Sequence, residues 1–286
     1  MATLLEELRQ SLAAPARPEI APGVAPGLDH LSASSIAQYL RCPRQWWYVR
    51  VLGIKAPPDG GLISGSALHS AAEHGMRQKL ATSLDPNASE VADVARDNAR
   101  KRIDEAQELV EETGPWPHLE EEGMKPDSVV DKAARSAEAW AKEAAPNVEP
   151  VGVEEEFDAE LGGVRVIGRL DVVEPNEGVR DWKTAGRTPS MADVAGQVAT
   201  EVYATAKRGP LTYTYLVDTK TRGVEVVHVP ISPRDLAVAR ALAPSTVSEV
   251  ARAIAAGAFP RNRHGWHCSR RWCAFFDRCM SGRDRP

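Results

Sequence analysis

The segment GRLDVVEPNEGVRDWKT carries the residues best suited to chemistry. Asp171 ends one strand-like pattern, and Asp181 and Lys183 stand two residues apart on the next. Alternation along a strand puts Asp181 and Lys183 on one face and Trp182 on the other. The turn from Pro175 to Gly178 folds the two runs together and can bring Asp171 close to Asp181. Two converging carboxylates form a hard oxygen site for magnesium or manganese. A neighbouring ammonium can orient a water or stabilise phosphate charge. Taken alone, Asp-x-Lys is more often a surface strand with alternating charge.

A second constellation is built from sulfur. Cys42 stands alone in YLRCPRQWWYVRVLGI, and three more cysteines follow in CSRRWCAFFDRC, at 268, 273 and 279. The Cys-x4-Cys-x5-Cys spacing suits zinc or an iron–sulfur cluster. One distant cysteine with a late trio lacks the two CxxC pairs of a zinc ribbon. Zinc and buried free thiols both stay open as readings of the residues alone. Trp46, Trp47, Tyr48, Trp266, Trp272, Phe275 and Phe276 surround these cysteines. They can pack around a metal site or, beside arginines, stack on unpaired bases.

Certain elements must position these groups. Residues 1–13 can form a short amphipathic helix, and residues 14–28, rich in Pro, Ala and Gly, read as a linker. Ser32 or Ser34 can cap a helix running through Cys42, which Pro43 either kinks or splits. Helices are expected over about 63–80, 89–112 and 127–145, the last two separated by a proline-rich loop. From Val151 the pattern changes to short strands: VGVEEEFDAEL, VRVIGRLDVVE and GVRDWKTA. A helix at about 190–208 leads to LTYTYLVDT and GVEVVHVPI, which a turn at about 220–223 joins, and a long helix covers about 232–256. This order predicts an α/β fold with a central mixed β-sheet flanked by helices. The predicted division is an arm and linker over 1–30 and one domain over 31–286. Within it lie a helical insert over 85–147, a core over 151–231, and a C-terminal helix with the cysteine trio over 232–282.

Composition sets outer bounds. There are 35 Lys and Arg against 40 Asp and Glu, a net charge of −5, so a generic basic coat for nucleic acid is not indicated. The balance is uneven. Arginines crowd the last 30 residues and acids crowd 105–122, either a substrate-facing asymmetry or a solvated tail. No apolar run is long enough to span a bilayer, and the N-terminus lacks a signal-peptide pattern. A cytoplasmic location, with no membrane partner, is expected. Four cysteines there favour metal ligation over disulfides.

The ordered set resembles the RecB-like branch of the PD-(D/E)XK nucleases over roughly residues 31–282. Asp171-x9-Asp181-x-Lys183 matches the core hairpin, and Gly65-x-x-x-His69 matches the upstream helical motif. Gln197 stands where the family carries Gln-x-x-x-Tyr, but Glu201 occupies the tyrosine position and the nearest tyrosine is Tyr203. One cysteine before the core and three after it resemble the AddB nuclease domain and the RecB-like nuclease of CRISPR adaptation. The resemblance implies a restriction-endonuclease-like core and a 4Fe-4S cluster on Cys42, Cys268, Cys273 and Cys279. It implies magnesium or manganese on His69, Asp171, Asp181 and the Trp182 carbonyl, with Lys183 and Gln197 as the other catalytic residues. The implied activity is metal-dependent exonucleolytic hydrolysis of single-stranded or frayed DNA by a stand-alone enzyme of phage or CRISPR-linked type. A second copy, or a recombination or CRISPR-adaptation subunit, is the partner it implies. The contrasting readings are a DNA-binding subunit with a vestigial site and a zinc-stabilised nuclease.

Overall fold

A computed structural model describes residues 29–190, 194–219 and 223–282. The expected N-terminal helix, the linker over 14–28, most of the turn at about 220–223, and Arg283 and Arg285 lie outside these residues. Ser32 caps α1 (Ala33–Arg41) by accepting from the Ser35 amide at 3.2 Å. Cys42 closes α1 and opens α2 (Pro43–Arg50), with extended backbone between them. Pro43 therefore splits the helix. It sits at the first helical position of α2, where its missing N–H costs nothing.

Asp59 caps α3 (Gly60–Thr82), and Asn87 caps α4 (Ala88–Thr113). Between α4 and α6 (Pro126–Ala139), the proline-rich loop contains a short helix, α5 (Pro117–Glu122), which the sequence reading did not anticipate. The end of α6 runs into a π-helical turn, Trp140–Ala144. The three following strands match their expected positions: β1 (Gly152–Leu161), β2 (Val164–Glu174) and β3 (Gly178–Ala185). Asp171 is therefore not the end of β2, which continues for three more residues. Gly162 and Gly163, at φ +59° and +81°, make the tight β1–β2 turn. Helix α7 (Val198–Ala206) starts later than expected. It crosses over to β4 (Leu211–Thr219), and β5 (Gly223–Pro230) and α8 (Pro233–Ala255) follow. A last short helix, α9 (Phe276–Ser281), carries Cys279.

The five strands form one mixed sheet in the order β1-β2-β3-β4-β5. Only β3 and β4 pair in parallel, pairing Asp181 with Tyr213 and Lys183 with Tyr215. The α/β fold with a helix-flanked central mixed sheet is thus observed. One sheet face packs on α3, α4 and α6 through Val153, Val172, Trp182 and Leu216. The other packs on α7 and α8 through Leu170, Tyr213, Val229 and Leu236. A third cluster joins α1 and α2 to α8, Phe259 and Phe275. Among the described residues, no helix is long and apolar enough to cross a membrane.

Trp140 anchors the first face. It is fully buried, meets Trp182 edge-on at 5.5 Å, and lies against Gly75, where an added Cβ would stand 3.0 Å from its ring. Trp140→Ala is expected to cost about 3–5 kcal/mol. Urea unfolding followed by circular dichroism measures this, and an unchanged midpoint would contradict the packing role.

Candidate active site

Three elements converge where β2, β3 and α3 meet. Alternation on β3 sends Trp182 into the α3–α4–α6 core and turns Asp181 and Lys183 toward α7. The Trp182 amide donates to Asp171 Oδ2 at 2.8 Å, which locks the β2 carboxylate onto β3. His69 comes from α3, and its Nδ1 lies 3.2 Å from the same Asp171 oxygen. Gly65 eases this approach, because a Cβ there would sit 3.2 Å from Thr184 Oγ1 at the end of β3, a tight contact. The glycine lets the helix lie close, and His69 follows one turn later on the same side. His74, the other histidine of α3, pairs instead with Glu90 at 2.9 Å.

Asp181 is buried beneath Lys183, and the two form a close ion pair. Burial pushes the Asp181 carboxyl up, Lys183 opposes that, and the charge of Asp171 adds to it. Burial would also raise Asp171, but His69, Lys183 and the Trp182 amide outweigh it and hold Asp171 low. Burial would lower both cations, but the two carboxylates outweigh it and raise His69 and Lys183. Two like charges forced together thus divide into one strong and one weak acid, flanked by two stabilised cations.

Tyr203 reaches this centre. Burial raises its hydroxyl well above the usual phenol range, and the nearby charges of Asp181 and Asp171 add to that. Glu201 instead turns toward Thr246 of α8, and burial raises its carboxyl. So Tyr203, two residues beyond the motif position, is the tyrosine near Asp181. Gln197 is the half-buried N-cap residue of α7, and its side chain makes no cap hydrogen bond.

His69, Asp171 and Lys183 line an open cleft of ≈ 920 Å³, with Asp181 just beneath. Sequence reading missed several other residues of its wall, Glu73, Arg102, Lys132 and Glu154, and named Trp272 only as an aromatic near the cysteines. Glu73 was within reach, since it lies one turn from His69 on α3. Glu154 was not. Strand pairing runs Val153↔Val172 and then Glu155↔Leu170, and the intervening Glu154 adopts φ +51°. That left-handed residue sits beside Asp171, where the sheet is locally distorted.

The cysteine end is assembled by clamps. Tyr39 donates to the Ala258 carbonyl at 2.5 Å, the Arg44 amide to Pro260 at 3.2 Å, and Asn262 to the Arg41 carbonyl at 2.9 Å. Trp46 stacks on Phe259 and Tyr48 on Phe275, at 5.8 and 5.0 Å. These contacts carry the trio back to Cys42, and all four thiols line one small pocket. Burial pushes Cys273 up to about 12 and raises Cys268, with the neighbouring thiols adding in each case. Among the described residues, no three His, Cys, Asp or Glu side chains are placed to hold a single metal ion, at this end or in the cleft. The basic tail and acidic insert also meet, with Arg270 lying 3.6 Å from Glu120. Part of the charge asymmetry is therefore internal pairing, which was neither of the two expected roles.

Residues 30–280 match the model of the PD-(D/E)XK nuclease superfamily. The chain belongs to this superfamily. As a PD-(D/E)XK nuclease it has the αβββαβ order of α3, β1–β3, α7 and β4, with Asp171 and Asp181-x-Lys183 at the core hairpin. Nucleases of this superfamily generally use magnesium or manganese. The fold is also similar to a solved structure from Eubacterium rectale, provisionally assigned as an exonuclease. That alignment covers 90% of each chain at 11% identity with a TM-score of 0.55, a likeness of fold alone. A second solved structure, SSO0001, aligns over 95% of this nuclease and 91% of its own chain at 13% identity. Its TM-score of 0.39 is too low to carry an argument. A search of curated proteins finds no match.

Proposed function

We propose that this nuclease is a divalent-metal-dependent DNA exonuclease acting on single-stranded or frayed ends. The observation that carries the reading is the meeting of His69, Asp171, Asp181 and Lys183 at one open cleft. The donor set fits the cation, because two carboxylates and an imidazole are hard or borderline ligands of the kind magnesium and manganese accept. Asp171, Asp181, His69 and the Trp182 carbonyl would hold it. A bound cation supplies an activated water and neutralises charge on the scissile phosphate.

The chain's own groups do the rest. Lys183 holds its proton in the field of the two carboxylates, so it presents a fixed positive charge to a phosphate oxygen or to the attacking water. Tyr203 lies in the field of Asp181 and is assigned to hold that carboxylate when Lys183 turns to substrate. His69 must give up the proton that Asp171 favours before it can act as a ligand. Gln197, at the start of α7, is assigned to orient Lys183 or the phosphate.

The cysteines are assigned to a 4Fe-4S cluster. Four thiols, an apolar wall with Tyr48 and Phe275, and Arg44 and Arg261 nearby suit an anionic cluster. The proposed domain runs from residue 31, with the cysteine segment closing it. End-labelled single- and double-stranded DNA, incubated with manganese and with chelator, tests the function. The expected result is mononucleotide or short-oligomer release from single strands only when metal is present. Cleavage that survives chelation, or none with any divalent ion, would contradict it, and the latter combined with DNA binding would favour a vestigial site.

A further inference from the structure

The cleft does not end at the catalytic residues. Its wall includes Trp272, which belongs to the cysteine segment far along the chain. Most aromatics near the cysteines are buried: Trp46, Trp47, Tyr48 and Phe275 all belong to the core. Two are not. Trp272 is 53% exposed and Trp266 is 75% exposed. Their rings meet edge-on at 5.6 Å, and the Arg271 guanidinium lies 5.1 Å over the Trp272 ring.

Exposing two indoles costs hydrophobic free energy that packing could have recovered. Their neighbours argue against an apolar protein partner. Arg271 covers one side of Trp272, and Arg102 and Lys132 stand on the same cleft wall. Aromatic faces with the Arg271 guanidinium over one ring, continuous with the proposed phosphodiester-cleaving site, suit unpaired nucleobases with a negative backbone.

We propose that Trp272, supported by Trp266 and Arg271, is a stacking platform for unpaired bases of a DNA strand entering the cleft. This rests on the nuclease reading and deepens it. The platform would favour single strands, because duplex bases are already stacked and cannot offer a face. Sequence preference should be weak, since every base has a π-face.

The test is binding of a labelled oligo-dT strand to the full chain without divalent metal, read by fluorescence anisotropy. Trp272→Ala should weaken binding about ten-fold, and Trp272→Phe should stay within about three-fold of the parent. An abasic strand of equal length should bind parent and Trp272→Ala alike. Equal oligo-dT binding by parent and Trp272→Ala would overturn the platform, as would a parent that does not distinguish oligo-dT from the abasic strand. Thermal melting guards against a folding defect. Should Trp272→Ala not fold, Trp266→Ala, at the more exposed ring, is read in its place and must also weaken oligo-dT binding. Cleavage of the abasic strand with manganese reports the nuclease reading alone. A protein that cleaves it but ignores bases keeps the activity and loses the platform. Tryptophan-dependent binding without cleavage does the reverse.

Discussion

Lys183→Ala is expected to slow DNA cleavage by about 10²–10³-fold, the usual loss when one fixed charge at a transition state is removed. Asp181→Ala should do at least as much, because it removes a ligand as well as the partner of Lys183. The two variants differ in what they leave behind. Without Lys183, burial has nothing strong to oppose it at Asp181, and the carboxyl takes up a proton more readily. Without Asp181, Lys183 keeps Asp171 as a counter-charge and about a third of its surface in water. Lys183→Ala should therefore also weaken metal affinity, and raising the pH or the manganese concentration should recover part of that loss. Asp181→Ala should recover nothing. Single-turnover rates on end-labelled single strands across a manganese titration separate the two. Either variant cleaving within about three-fold of the parent would remove its residue from the mechanism.

Much of this centre was legible because it depends on short-range periodicity. The alternation of Asp181, Trp182 and Lys183 sets their faces whatever the rest of the chain does, and the β2–β3 turn sets which strands meet. Gly65 and His69 were legible only through the motif resemblance, and the closeness of Gly65 to Thr184 emerges only when helix and sheet are docked. The tyrosine was harder. Counting four residues from Gln197 lands on Glu201, but α7 begins only after Gln197, and its geometry turns Glu201 to α8 and Tyr203 to Asp181. Glu154 was hidden for a different reason. Strand alternation assumes unbroken pairing, and the pairing is interrupted at Glu154 and Asp171. The short helices α5 and α9 were missed because six residues give too little periodicity, and their positions depend on tertiary contacts such as Trp116 against Phe275.

Cys273→Ala is expected to yield a paler protein, its cluster held more weakly, that melts about 5–10 °C below the parent. Metal binding to a four-thiol site is worth on the order of 10 kcal/mol, and because it forms only with the fold, it counts toward folding. Losing a quarter of it costs about 2–3 kcal/mol, which is several degrees in a chain of this size. The clamp geometry sets where the damage falls. Cys42 ends α1 and starts α2, and the trio follows the segment hydrogen-bonded to those helices at Ala258, Pro260 and Asn262. Loosening one thiol should therefore free both chain ends together, so amide exchange should rise in α1, α2 and α9 and stay slow in β3. Burial favours the neutral Cys273 thiol in the metal-free protein, and loading must displace that proton, so reconstitution should improve as pH rises. A colourless parent with bound zinc, destabilised by the same substitution, would change the metal and keep the clamp. A parent with no metal, and a variant that melts with it, would leave the aromatic stacking and the three hydrogen bonds to hold the ends together.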